Sequence, residues 1–267
     1  MENHSTELDR LVQIMSRLRD PETGCPWDAA QDFASIAPYT IEEAYEVADA
    51  IQIGERDAIR DELGDLLLQV IFHSRIAEEE GSFTFEDVAR GICDKMTARH
   101  PYVFGSDERP TVDAQNGLWE DIKAKERAVK GETRLLDGIA RGLPPMLRAL
   151  KLQKRAARVG FDWPNISQII DKMNEETDEL MVELEQSPRD QARVADEVGD
   201  LLFVAVNLAR KAGIDPETAL QSCNLKFEQR FNFIEEKAEK INKNLSDMTL
   251  EEMEQYWQAA KREKNIR

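Results

Sequence analysis

Asp196-Glu197-Val198-Gly199-Asp200-Leu201-Leu202 is a near-copy of Asp61-Glu62-Leu63-Gly64-Asp65-Leu66-Leu67, and the fold follows from that repetition. A second acidic cluster precedes each copy at a similar separation: Glu42-Glu43-Ala44-Tyr45-Glu46 before the first, Glu175-Glu176-Thr177-Asp178-Glu179 before the second. Downstream, Lys95-x-x-x-Arg99 matches Lys226-x-x-x-Arg230, and Trp119-x-x-x-Lys123 matches Trp257-x-x-x-Lys261. A tryptophan beside an aspartate opens both copies, at Trp27-Asp28 and Asp162-Trp163. Features recurring in one order mark an internal duplication.

The repeated unit reads as helices alone, so the fold class is all-α: two duplicated helical bundles. Pro144-Pro145 opens a helix reaching about Arg158, since proline is tolerated in the first turn. The acidic helix follows over about Ser167–Gln186, and the Glu-x-x-Asp helix over about Arg189–Lys211, stopped by Gly213. Asp215 caps a further helix with Pro216 in its first turn. Thr249 and Glu252 have capping-box spacing and start the last. Thr40 and Glu43 share that spacing, which offers Glu43 a role at a helix terminus. Runs of β-branched residues with period two do not occur. The domain organisation expected is a first unit over 1–130, a Gly- and Pro-rich linker over 131–145, and a second unit over 146–267.

Composition narrows the function. A net charge of −18 opposes non-specific nucleic-acid binding, which needs a basic face to displace counterions. The apolar runs Leu66–Phe72 and Leu201–Leu208 are too short to span a membrane. The N-terminus has no apolar core, so no signal peptide is expected. Cys25, Cys93 and Cys223 are odd in number and far apart, arguing against a disulfide framework or zinc site and for a reducing, cytoplasmic setting. Glycine-rich phosphate loops, dinucleotide fingerprints and the nucleophile-elbow motif are all missing.

The carboxylates carry the chemistry. Residues three or four apart share a helix face, so Glu176 and Glu179 project together, as do Glu197 and Asp200. Antiparallel packing of the two helices would converge four acids, a self-repelling arrangement unless a cation fills it. Hard oxygen ligands select Mg²⁺, with Mn²⁺ a substitute, and Mg²⁺ commonly shares its shell with phosphates. A single acidic helix would ordinarily be a solvated face; the same pattern in both halves argues otherwise. Gly64 and Gly199 stand between the acids of their pairs at a cost of about 1 kcal/mol each, and close approach by a helix or ligand is the expected return. Lys226 with Arg230 suits phosphate oxygens, and Trp257 with Lys261 adds an indole for base stacking.

Glu-Glu-x-x-Glu followed by Glu-x-x-Asp resembles the all-α nucleoside triphosphate pyrophosphohydrolases, in their two-domain MazG form. The resemblance runs from Leu8 to Glu263 and includes Gly24-Cys25-Pro26-Trp27-Asp28, Val159-Gly160-Phe161-Asp162-Trp163 and Asn207-Leu208-Ala209-Arg210. It implies hydrolysis of triphosphates such as ATP to monophosphate and pyrophosphate, Mg²⁺ dependence, broad base tolerance, and a homodimer whose helices pack across the twofold. By position it implies metal ligands Glu176, Glu179, Glu197 and Asp200, with Glu175 or Glu176 as base. Lys172, Arg193, Asn207, Lys226, Arg230, Trp257 and Lys261 would hold the nucleotide; Arg193 departs from the family's lysine but keeps the charge.

The first half retains Glu43, Glu46, Glu62 and Asp65 as a possible second, weaker site. It loses two cations and a polar amide, however: Tyr39 stands opposite Lys172, no cation stands opposite Arg193, and Phe72 stands opposite Asn207. Catalysis is therefore assigned to the second half. Two rival readings are a nucleotide-sensing regulator with a protein partner in a stress pathway, which binds without turnover, and a purely structural acidic bundle.

Overall fold

The computed structural model describes residues 6–105, 109–111, 122, 131 and 134–263, and no strand occurs among them. Two compact units form, Met1–Ile122 and Lys123–Arg267. The first contains α1 (Glu7–Leu18), α2 (Pro26–Ala29), α3 (Phe33–Ile53), α4 (Arg56–Glu79), α5 (Phe85–Arg99) and α6 (Pro101–Phe104). The second contains α7 (Pro145–Ala157), α8 (Ile166–Glu185), α9 (Gln191–Lys211), α10 (Pro216–Lys240) and α11 (Leu250–Ala260), with a 3₁₀ turn at Leu245–Asp247. The described part of the Gly- and Pro-rich stretch, 134–144, is turn and irregular backbone. No helix among the described residues is long and apolar enough to cross a membrane.

Caps set the boundaries. Asp215 accepts from Thr218 N–H at the start of α10, and Thr249 and Glu252 cap α11 reciprocally, both as the spacing predicts. Gly213 adopts φ 72° just past α9, where Ile214 N–H donates to the Ala209 carbonyl and closes the helix end. The expectation for Thr40 is overturned. Asp32 and Ser35 form the reciprocal cap, α3 begins at Phe33, and Thr40 lies inside the helix. Its hydroxyl faces His73 Nε2 at 2.9 Å, so Glu43 has no terminus to serve.

In each unit a hairpin of two long helices, α3–α4 and α8–α9, packs against a shorter preceding helix, α1 or α7. Met15, Ile36, Ile71, Phe72 and Ile76 form the core of the first unit, with Leu11, Val12, Leu68 and Phe85 against it. Each such side chain contributes about 1.5–3 kcal/mol when buried. In the second unit Ile234, Ala238 and Met248 gather Phe231, Tyr256 and Trp257 between α10 and α11. Leu150 of α7, Ile169 of α8 and Val204 and Val206 of α9 are buried, and α9 packs against both α7 and α8.

One buried cation organises the first unit. The Arg19 side chain, 5% exposed, donates from Nε and Nη2 to Glu79 and from Nη1 to the carbonyls of Asp28 and Gln31. It ties the end of α1 to α2, the approach to α3 and the end of α4, while its guanidinium lies 5.2 Å from the centre of the Phe72 ring.

Candidate functional site

The hairpin geometry aligns the acids. A short connection, 186–190, makes α8 and α9 antiparallel, so residues equally far from it stand level. Glu179 is level with Glu197, and Glu176 with Asp200. The same holds around Gly54 for Glu46 with Glu62 and Glu43 with Asp65. The later hairpin's wider spacing is taken up in its longer connection, and the levels are preserved.

Three carboxylates converge in each hairpin. Oxygens of Glu176, Glu179 and Glu197 lie within 4.8 Å of one another, as do those of Glu43, Glu62 and Asp65. Asp200 falls outside the first trio and Glu46 outside the second. Asp200 nonetheless stays close enough to help raise the Glu197 carboxyl above its usual range. Burial is the largest cause of that rise, followed by Glu179, Glu176 and Asp200. Glu176 is 4% exposed. Lys172, one turn earlier, bonds Glu175 at 2.6 Å and Glu176 at 2.7 Å. Those carboxylates, Glu175 foremost, hold the Lys172 ammonium well above its ordinary value.

The glycines do not admit a neighbour. A Cβ at Gly64 or Gly199 would meet no atom within 4 Å, so the expected close approach by a helix of the same chain does not occur among the described residues. Their open faces leave room for something from outside.

Other expected site residues are distributed around the second unit. Arg193 extends to Glu183 at 3.5 Å and Asp190 at 3.9 Å, on the connection side of the trio, with a side chain 68% exposed. On α10 the Arg230 guanidinium sits 5.5 Å from the Trp257 ring, with Phe227 against the same indole at 5.3 Å. Arg230 Nε is buried without a hydrogen-bond partner. Lys226 is half-buried one turn earlier, and Lys261 is exposed at the end of α11. Among the described residues no hydrogen bond or ion pair joins this group to the trio. Trp119 and Lys123, the first-half counterparts of Trp257 and Lys261, lie outside the described residues.

Asn207 is buried inside a polar network. Its Oδ1 accepts from Arg210 Nε at 2.9 Å and Nη2 at 2.7 Å. Arg210 also pairs with Asp162, which Lys211 reaches at 3.0 Å while donating to the Trp163 carbonyl. Arg210 is the main reason the Asp162 carboxyl lies below its usual range; burial opposes it and Lys211 adds to it. This network fastens the entry to α8 onto the end of α9. Sequence spacing did not reveal it, although Asp162-Trp163 and Asn207 through Arg210 were the available signals.

Glu79, Gln69 and His73 were also missed. Gln69 is buried and His73 half-buried on the α4 face that carries Glu62 and Asp65, where the second unit has Val204 and Leu208. The signal was a polar residue within or beside an otherwise apolar run.

The sequence matches the MazG nucleotide pyrophosphohydrolase domain twice, over residues 31–104 and 165–233. It is 49% identical over 257 residues to the nucleoside triphosphate pyrophosphohydrolase of Escherichia coli (strain K12), covering 96% of this chain and 98% of that one. It is 42% identical to the nucleoside triphosphate pyrophosphohydrolase/pyrophosphatase MazG of Thermotoga maritima, covering 95% of each. Both matched segments contain a complete helical hairpin with its carboxylate trio.

Proposed function

Because the chain belongs to the MazG nucleotide pyrophosphohydrolase family, we propose that its second unit hydrolyses nucleoside triphosphates to the monophosphate and pyrophosphate with Mg²⁺. The single observation that carries this assignment is the trio Glu176, Glu179 and Glu197 beside Lys172, against a first-unit trio with no such lysine. Three carboxylates within one coordination sphere's reach fit a hard divalent cation, and Asp200 stands level to complete the set. When bound, such an ion neutralises phosphate charge and acidifies water.

The side chains divide the remaining work. Glu175 bonds Lys172 but lies outside the trio, which leaves it suited to take the proton of the attacking water. Attack at the α-phosphorus then breaks its bond to the bridging oxygen, and pyrophosphate leaves. Lys172 lies beside the acids, where it can follow phosphate charge as it shifts. Lys226, Arg230 and Lys261 offer cations to the triphosphate, and Trp257 offers an indole that stacks on any base, the basis for broad base tolerance.

Product analysis with ATP and Mg²⁺ tests the reading: AMP and pyrophosphate are expected, and ADP with orthophosphate would overturn it. Tight binding with no release of either product would instead favour a nucleotide-sensing regulator.

We also propose a homodimer. Ile170, Met181, Val182, Val198, Leu202 and Phe203 on α8 and α9 are each at least 40% exposed, an apolar face beyond what isolated surface residues provide. A second copy would cover it and approach the open side of Gly199. Sedimentation at micromolar concentration should give twice the chain mass; a monomer there would remove the proposal.

A further inference from the structure

Asn207 lies two turns beyond Asp200 on the same face of α9 and is 4% exposed. The two ends of its amide are treated differently. Oδ1 accepts from both Nε and Nη2 of Arg210, while Nδ2 donates to no described residue. An N–H left without a partner in so buried a side chain opposes folding, so this donor is kept at a cost to the fold.

Arg210 decides which end of the amide is which. A guanidinium has donors only, so it holds the oxygen on its own side and puts the nitrogen on the other. Helical side chains lean toward the N-terminus of their helix, and Arg210 meets Asn207 from one turn beyond it. The free N–H therefore belongs to the end that turns back along α9, in the direction of Asp200 and Lys172. Arg210 is fixed in turn by Asp162, whose carboxylate also accepts from Lys211. The first unit has the arginine without the amide. Phe72 stands in the place of Asn207, and Arg75, in the place of Arg210, turns to Glu78 and Glu79 instead. The same hairpin thus packs without this pairing, which occurs only in the unit that carries Lys172.

We propose that Asp162 and Arg210 are positioning residues for the nucleotide: they lock the Asn207 amide so that its N–H donates to an acceptor on the nucleoside. The inference rests on the reading of the second hairpin as the nucleotide site. Asn207 stands about 10 Å along the helix axis from Asp200. The acids and Lys172 hold the phosphate end of the ligand, and the sugar or base of the same molecule extends to the amide. Without Arg210 the amide is free to turn over and present its oxygen, which repels that acceptor instead of binding it.

The test is a double-mutant cycle on the full chain, read by calorimetry as the binding of α,β-methylene-ATP with Mg²⁺. This analogue is not split between its α- and β-phosphates, so the readout does not depend on turnover. Asn207→Ala and Arg210→Ala should each weaken binding about fivefold to tenfold, the scale of one hydrogen bond. The double variant should bind no worse than either single one, because Arg210 acts through Asn207. Inorganic tripolyphosphate, which has no nucleoside, should bind all four proteins equally. A network that only braces the fold gives the opposite pattern, with both ligands weakened together. Losses that multiply in the double variant, a parallel loss of tripolyphosphate, or unchanged affinity in Asn207→Ala each overturn the proposal, as does a wild type that fails to bind the analogue. Should Arg210→Ala fail to fold by circular dichroism, Arg210→Lys takes its place in the cycle, where independent losses likewise overturn the proposal. A wild type that binds the analogue yet releases no pyrophosphate from ATP defeats the hydrolysis assignment and leaves this cycle to be read as before.

Discussion

Replacing Glu176 with Gln should lower kcat/KM for ATP by about 10²–10³-fold, the scale of removing one well-placed charged group from an active site. The side chain is 4% exposed and meets Lys172 at 2.7 Å, so the amide fills the same space in the same fold. Folding should not suffer in the absence of metal, because one of three mutually repelling charges has been removed. That combination separates chemistry from structure: a buried acid needed only for the fold would lose melting temperature and activity together. Asp200→Asn should fall into the same activity class, although Asp200 lies outside the trio, because it stands level with Glu176 and faces Glu197. Glu43→Gln, in the matching place of the first unit, should cost less than about tenfold, since the charge it removes is not beside the reacting phosphate. Pyrophosphate release measured for the three variants decides the matter. Comparable losses in all three would overturn the assignment of hydrolysis to the second unit.

What the sequence disclosed was whatever repeats or periodicity encodes locally. Asp215, Thr249 and Gly213 mark helix ends through their own side-chain or backbone preferences, and the structure places the boundaries within a residue or two of them. The duplication was legible because two hairpins preserve the same levels. Spacing also showed which acids share a face, but not which reach a common point. Asp200 and Glu46 fall outside their trios because convergence depends on rotamer and side-chain length across the hairpin, which a linear pattern does not contain. The start of α3 was missed because Asp32 and Ser35 compete with Thr40 and Glu43 for the same motif, and only the packed helix shows which pair wins. Arg19 and Asp162 were hidden for a broader reason. A charged residue reads as surface until its partners, distant in sequence, are brought to it.

Arg19 is where the largest stability effect is expected. Its guanidinium makes an ion pair with Glu79 and caps two backbone carbonyls, all with a 5% exposed side chain. Arg19→Ala strips these partners at once and should cost about 3–5 kcal/mol, as breaking a buried pair does. The result is an early unfolding transition, lower by roughly 12–20 °C, at about 4 °C per kcal/mol in a unit of this size. Arg19→Lys should recover little of the loss, since an ammonium cannot span Glu79, Asp28 and Gln31 as the planar fork does. Acidification gives an independent check. Burial alone would raise the Glu79 carboxyl, but Arg19 and Arg75 outweigh it and hold it below 4.5. A carboxyl depressed in the fold stabilises above its unfolded value and loses that contribution as pH falls through its folded value. The gap between wild type and Arg19→Ala should therefore be widest near pH 7 and shrink below pH 4.5. Thermal melts at both acidities measure it. A cost under about 1 kcal/mol near pH 7, or a gap that widens with acid, would mean that the pair is no more than a surface contact.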